Sequence, residues 1–519
     1  MGTRPDPSFY KNLARNLEQA YLLLSDRCLY ESAKWTAEAL NGLPELEDDA
    51  ADDAMTEREP DSDSILIDVK SLDEMTPSES RSYLLAKACF DCREYDRAAQ
   101  KLERVSTSSA KCIFLHLYAR YISGEKKRDE QSEAILGPLD GDATVNKQLV
   151  PIINELESHF TRSPATKDDP FLLYLYGIVL VKHKCEKAAV EPLARSVKLY
   201  PYNWGAWQEL SHCVSSIDQL PYVLARLPPT HVMTKLFEVA TSQELFQSTE
   251  SVFITLDQLE TVFPNFVYLE IQRAMLCYHA LEYDDSARLF DHVVKLDPHR
   301  LDDMDMYSNV LYVTEQRAKL AHLAQLASAT DKFRPETCCI IANYYSLKSE
   351  HEKAVVYYRR ALTLNRNCLG AWTLMGHEYM ELKNARAAIE SYRRALKVSS
   401  KDARAWYGLG QAYEVIEMYY YSFFYYQRAA ALTPYDQRMW IALANCFDKL
   451  QRPTEAIKAY TRALSLSDSE PSILQKLIEL YRQIGDKRNA ERYAVLLKNS
   501  EVGAGEGGVG AKSEMGTRG

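Results

Sequence analysis

Tryptophans stand at Trp372, Trp406 and Trp440, 34 residues apart, and the same period carries Tyr358, Tyr392, Tyr426 and Tyr460 and the alanines Ala361, Ala395, Ala429 and Ala463. A period of that length is one pair of helices joined by a turn. Such a pair cannot bury its apolar face alone, so neighbours must stack into a solenoid. Units starting at 335, 369, 403 and 437 follow the pattern closely, and 471 extends it forward. Units at 301, 267 and 233 extend it backward in degenerate form, yet Pro264, Pro298 and Pro434 all fall on position 32. Eight units thus keep one register from 233 to 498.

Bulky residues at positions 4 and 24, small ones at 8 and 20, and alanine at 27 define the tetratricopeptide repeat. The expected fold is all-α, a right-handed superhelical solenoid. Trp372, Gly376, Tyr392, Trp406, Gly410, Tyr426, Trp440 and Tyr460 are its packing residues. Small side chains at positions 8 and 20 are expected to let the two helices approach closely, and proline at 32 ends the second helix. Upstream the pattern weakens. A unit at 170 carries Gly177, Ala189 and Pro201; one at 204 carries Trp207 and is shortened around Pro221 to Pro229. The expected organisation is N-terminal repeat-like helices over 1–43, an acidic disordered insert over 44–78, degenerate repeats for dimerisation over 79–160, repeats with a shortened unit over 161–232, the in-register array over 233–498, and a glycine-rich disordered tail over 499–519.

Charge supports that division. The whole chain of 519 residues has a net charge of −11, and residues 44–78 alone hold 13 acids and 2 bases. The remainder therefore sums to zero, which gives no basic footprint for nucleic acid. No apolar run approaches the roughly 20 residues a bilayer needs, and no secretory signal follows Met1. The 11 scattered cysteines fit reduced thiols in an intracellular protein.

The chemical motifs give way to blander readings. Gly503-x-Gly505-x-x-Gly508 has the spacing of a dinucleotide fingerprint but lacks the strand and helix that motif requires. Cys89-x-x-Cys92 has no second ligand pair, so packing explains it better than zinc. No nucleophile–base order and no metalloprotease motif occurs, so neither a catalytic residue nor a metal or other cofactor is expected. The aromatic run Tyr419–Tyr426 reads first as interhelix packing, with a subunit contact as the sharper alternative.

The groove carries more information. First-helix positions 2, 5, 9 and 12 are expected on the concave side of the superhelix. They place Asp302, Asp305, Asn309, Tyr312, Asn343, Thr373, His377, Tyr407 and Gln411 there. Amides offer paired donors and acceptors to an extended peptide backbone, and the two aspartates could pair with a guanidinium. The lysine-based carboxylate clamp of chaperone-binding repeats is absent, since position 5 is Cys339, Thr373 and Tyr407. That counts against a cytosolic chaperone cofactor, although a cytosolic tetratricopeptide adaptor stays open.

The runs Glu336–Lys348, Leu369–Met380 and Arg404–Gly410, with Tyr30–Trp35 and Tyr174–Ile178, closely resemble the cell-division-cycle-twenty-three family, the eighth subunit of the anaphase-promoting complex or cyclosome. The resemblance covers residues 8–498 and includes the non-consensus Cys338, Cys339, His377 and Glu378. It implies a non-catalytic scaffold of a ubiquitin ligase controlling mitotic progression, in the nucleus and cytoplasm. It also implies a homodimer formed through N-terminal repeats and contacts with other tetratricopeptide and scaffold subunits. A groove for the coactivator's N-terminal box peptide is implied as well, with no nucleic acid or membrane partner.

Overall fold

The structure, a computed structural model, describes residues 7–44, 75–104, 109–132, 145–162, 164–216, 218–229, 231–245, 249–466 and 471–506. Every regular element among them is a helix. Most of the acidic insert (45–74), the Gly137-Pro138 loop and the final residues 507–519 lie outside the described residues. Two boundaries differ from expectation. Residues 126–150, with Gly137-Pro138 and Gly141, read as a loop, yet the helix Ala110–Ser132 runs through the first seven of them. The last helix, Lys487–Glu506, continues into the segment read as tail.

Residues 1–300 and 301–519 form two compact units. The division falls between two repeats of the in-register run, not at 232/233.

In the second unit, helix pairs follow one another at the expected period: Pro335–Leu347 with His351–Leu364, Leu369–Glu381 with Ala385–Val398, Ala403–Val415 with Tyr419–Leu432, and Gln437–Lys449 with Pro453–Leu466. Three devices recur along the array. The first is the indole at position 4, which donates to the carbonyl at position 32 of the preceding repeat. Trp372 reaches Arg366 at 2.8 Å, Trp406 reaches Ser400 at 2.9 Å and Trp440 reaches Pro434 at 2.9 Å. Trp207 does the same to Pro201 at 2.7 Å, so the 204 unit shares the geometry although its sequence is degenerate.

The second device is a left-handed residue at the turn. Leu281, Glu315, Ser349, Lys383, Glu417, Gln451 and Gly485 all have positive φ and stand 34 apart. Only the last is the glycine that conformation favours.

The third device is the close approach at position 8. The space above Gly376 and Gly410 is filled by the tyrosine at position 24. A Cβ on Gly376 would meet Tyr392 Cε1 at 2.5 Å, and one on Gly410 would meet the Tyr426 ring. Gly408 closes on Tyr392 from the next repeat. Each glycine is a socket for a fully buried ring, and the Tyr392 socket is shared by two repeats.

In the first unit the N-terminal hairpin, Pro7–Asp26 and Tyr30–Asn41, shares one core with residues 171–276. Trp35 stacks on Trp204 at 4.5 Å, Gly205 N donates to Ser32 Oγ at 3.0 Å, and Asn265 N donates to Gly42 O at 3.2 Å. The hairpin therefore belongs with units far along the sequence, which periodicity could not reveal.

Candidate functional site

The nine first-helix groove residues all lie in the second unit, on helices Met304–Val313, Pro335–Leu347, Leu369–Glu381 and Ala403–Val415, or on the turn before the first of these. They divide sharply by burial.

Asn343 is 2% exposed and its amide is saturated. Nδ2 donates to Ser308 Oγ at 2.7 Å and to Asn309 Oδ1 at 2.8 Å, while Oδ1 accepts from Tyr358 Oη. An amide offers two donors and an acceptor, and all are consumed. The expectation that Asn343 and Asn309 present open groups to a peptide is therefore corrected: they fasten the 301 repeat to the 335 repeat. Thr373, 1% exposed, is likewise corrected. Its hydroxyl donates to Asp402 Oδ2 at 2.9 Å, and buried Asp402 caps the next first helix through Arg404 N.

His377 follows the Asn343 pattern. Its Nδ1 lies 2.9 Å from Tyr392 Oη, fifteen residues on, just as Asn343 meets Tyr358 and Asn445 meets Tyr460. Burial, helped by Arg404, pushes its pKa down to about 4, so the ring is neutral at physiological pH. Position 9 thus latches to position 24 in three repeats. The 403 repeat breaks the pattern: Tyr426 Oη donates to Glu414 Oε2 at 2.7 Å, and Gln411 Nε2 turns to Tyr407 Oη at 3.3 Å. Gln411 and Tyr407 remain half-buried and open on that face.

The two aspartates separate as well. Asp302 pairs with Arg334 at 2.7 Å, so it is already neutralised within the chain, against expectation. Asp305 is half-buried. Burial, with Asp303 and Glu336 nearby, raises its pKa to about 7. No basic side chain among the described residues pairs with it. Tyr312, 39% exposed, lies 3.4 Å from Ser346 Oγ.

Sequence reading missed Glu378 as a structural acid. It is 4% exposed, accepts from Ser346 Oγ at 2.6 Å and lies 2.8 Å from His351 Nδ1. The spacing that puts Ser346 at position 12 carried a hint of this partner in the next repeat. The face thus consists of a buried polar ladder that locks successive repeats, with Asp305, Tyr312, Tyr407 and Gln411 standing open beside it.

Elsewhere, Cys89 is buried, Cys92 is exposed, and neither is in a disulfide. Among the described residues no His, Cys, Asp and Glu cluster could hold a metal, and no helix is long and apolar enough to cross a membrane. The aromatic helix splits in two: Tyr426 is buried and Tyr425 stacks on Tyr413 at 5.3 Å, while Tyr420, Tyr421 and Phe424 face solvent.

A helical-repeat array with an open strip of acidic, aromatic and amide side chains is a protein-binding scaffold of the tetratricopeptide class. Repeat models match residues 335–368, 376–414 and 425–471. The model described as anaphase promoting complex subunit 8 / Cdc23 matches residues 12–274. Anaphase-promoting complex subunit 8 of Arabidopsis thaliana is 41% identical over 398 residues, covering 73% of this chain and 67% of that protein. Anaphase-promoting complex subunit CDC23 of Saccharomyces cerevisiae is 36% identical, covering 72% and 70%. The human cell division cycle protein 23 homolog is 39% identical, covering 60% and 49%. The chain belongs to the anaphase-promoting complex subunit 8/Cdc23 family and is a tetratricopeptide-repeat subunit of that kind.

Proposed function

We propose that the chain is a non-catalytic scaffold within the complex, and that its open groove strip receives an extended, arginine-containing segment, the N-terminal box of a coactivator. The observation that carries the groove reading is Asp305. It is an acid kept on a half-buried face with no basic partner among the described residues, at a cost that burial and two acidic neighbours make plain. A guanidinium would relieve that cost through a charge-assisted hydrogen bond. Tyr312, Tyr407 and Gln411 add a ring surface and amide groups for the peptide chain.

Homodimerisation through the N-terminal repeats and residence in nucleus and cytoplasm belong to the same reading and rest on the family resemblance. Affinity purification from cells tests the scaffold role. Cullin-like, RING and sister repeat subunits are expected to co-purify in fixed stoichiometry. A chaperone alone would contradict it and favour the adaptor reading. Sedimentation of the purified chain tests the dimer.

A further inference from the structure

In the 369 repeat, Thr373 at position 5 donates to Asp402, the residue that caps the first helix of the next repeat. The 335 repeat holds sulfur at the same two places, again 29 residues apart. Position 5 is Cys339, on helix Pro335–Leu347, and its counterpart is Cys368, the N-cap of helix Leu369–Glu381. Both are free thiols, and the Cys339 thiol donates to the Cys368 sulfur. Their surroundings differ. Cys339 is 2% exposed, whereas Cys368 is half-buried. The bond from Cys339 holds Cys368 below the ordinary thiol pKa. That same bond, together with burial, pushes Cys339 well above it. The cap position widens the difference, because the free N–H groups of a first helical turn favour a thiolate. A Cβ on Gly370 would lie 4.0 Å from Asp305 Oδ2, so the thiols stand beside the open groove strip.

We propose that Cys339 and Cys368 are a peroxide-responsive dithiol, a modification site whose disulfide staples the first helices of the 335 and 369 repeats. A more acidic, reachable thiol beside a protected second thiol is the arrangement that reversible thiol oxidation needs. Cys368 is the attacking sulfur. Its thiolate takes one oxygen of hydrogen peroxide: the S–O bond forms, the O–O bond breaks, and hydroxide leaves and collects the thiol's proton as water. The sulfur is oxidised by two electrons to a sulfenic acid, and the peroxide is reduced. The Cys339 sulfur then attacks Cys368. The S–S bond forms, the S–O bond breaks, and the hydroxyl departs with the Cys339 proton as a second water. One peroxide and two thiols thus give one disulfide and two waters. A dithiol reductant reverses the step by thiol–disulfide exchange. In the 369 repeat the same junction is held by the permanent bond from Thr373 to Asp402; in the 335 repeat the tie is one that an oxidant makes and a reductant breaks.

Titration of the full, reduced chain with hydrogen peroxide is the test, followed by alkylation of the remaining thiols in denaturant, digestion without reductant and mass spectrometry of every cysteine. A linked Cys339–Cys368 peptide is expected, and dithiothreitol should abolish it. It should form roughly fivefold or more faster than the exposed Cys92 and Cys185 are oxidised, since thiolate character outweighs exposure here. In Cys339→Ser, checked for an unchanged melt, Cys368 should instead be trapped as its dimedone adduct. In Cys368→Ser, Cys339 should keep its thiol. Oxidation of Cys92 and Cys185 ahead of the pair overturns the proposal. So does a bond from either cysteine to any other, or a linked peptide that forms only when urea is present during oxidation. A folded Cys339→Ser without an adduct on Cys368 overturns it as well.

Discussion

Tyr392 lies with its hydroxyl 2.9 Å from Nδ1 of His377 and its ring between Gly376 and Gly408, which belong to successive repeats. One side chain thus closes its own helix pair and joins it to the next. The same pairing of positions 9 and 24 in the 335 and 437 repeats makes a latch that recurs in three repeats. It removes from the binding face side chains that periodicity alone would place there.

The latch has a pH signature. His377 titrates at about 4 when folded, against 6.5 in the unfolded chain. Between those values the unfolded state binds more protons, so this group's contribution to stability is full above pH 6.5 and is lost as pH falls toward 4. The loss should be on the order of 2 kcal/mol, allowing for partial solvent access. Urea melts at pH 7 and pH 5 should show a pH-dependent loss in the native chain that is smaller in His377→Gln.

Gly410→Leu should destabilise the 403 repeat by about 1–3 kcal/mol, because its new side chain meets the Tyr426 ring. Adding Tyr426→Ala empties the socket, so the pair should cost less than the sum of the two single changes. Additive losses in thermal melting would mean that the glycine and the ring do not share that space.

Asn343→Ala should be a stability variant first. It strands the Tyr358 hydroxyl and the Asn309 side-chain oxygen Oδ1 in the interior, while Ser308 keeps its bond to Asp305 O. Each buried group left unpaired costs about 1–3 kcal/mol. A lower denaturation midpoint is expected whether or not peptide is present.

The turn residues offer a gain. Lys383 and Glu417 hold left-handed backbone, which costs a side-chain-bearing residue about 1–2 kcal/mol. Glycine relieves that cost but gives back about 0.5–1 kcal/mol in unfolded-chain entropy. Lys383→Gly with Glu417→Gly should stabilise the chain by about 1 kcal/mol for the pair, read as a higher melting temperature.

Much of this fold was legible because the repeat writes its packing residues at fixed intervals. Trp372, Tyr392 and Ala395 announce their places by spacing alone. The left-handed turns were not legible, since six of the seven are not glycine. The path of residues 7–43 was not either, because Trp35 meets Trp204 through no periodic signal. At the site, register chose the helices and positions correctly but could not say which polar groups are spent. Asn343 and Asp305 both sit on groove positions. Only their surroundings show that one is saturated within the array and the other has no basic partner among the described residues.

On the proposed function, Asp305 receives a cation from outside the chain. With a folded-state pKa of about 7, against 3.8 unfolded, the folded chain keeps between those values a proton that the unfolded chain has released, so stability falls as pH rises from about 4 to 7 and ionised Asp305 is destabilising. Titration of a coactivator N-terminal-box peptide into the full chain and into Asp305→Asn, at pH 6 and pH 8, addresses this most directly. The native chain should bind more tightly at pH 8, where the carboxylate is charged. Asp305→Asn should bind at least tenfold more weakly there, about 1.4 kcal/mol, lose the difference between the two pH values, and melt higher than the native chain without peptide. Equal affinity of the two proteins at pH 8 would contradict the account and move the peptide site away from Asp305.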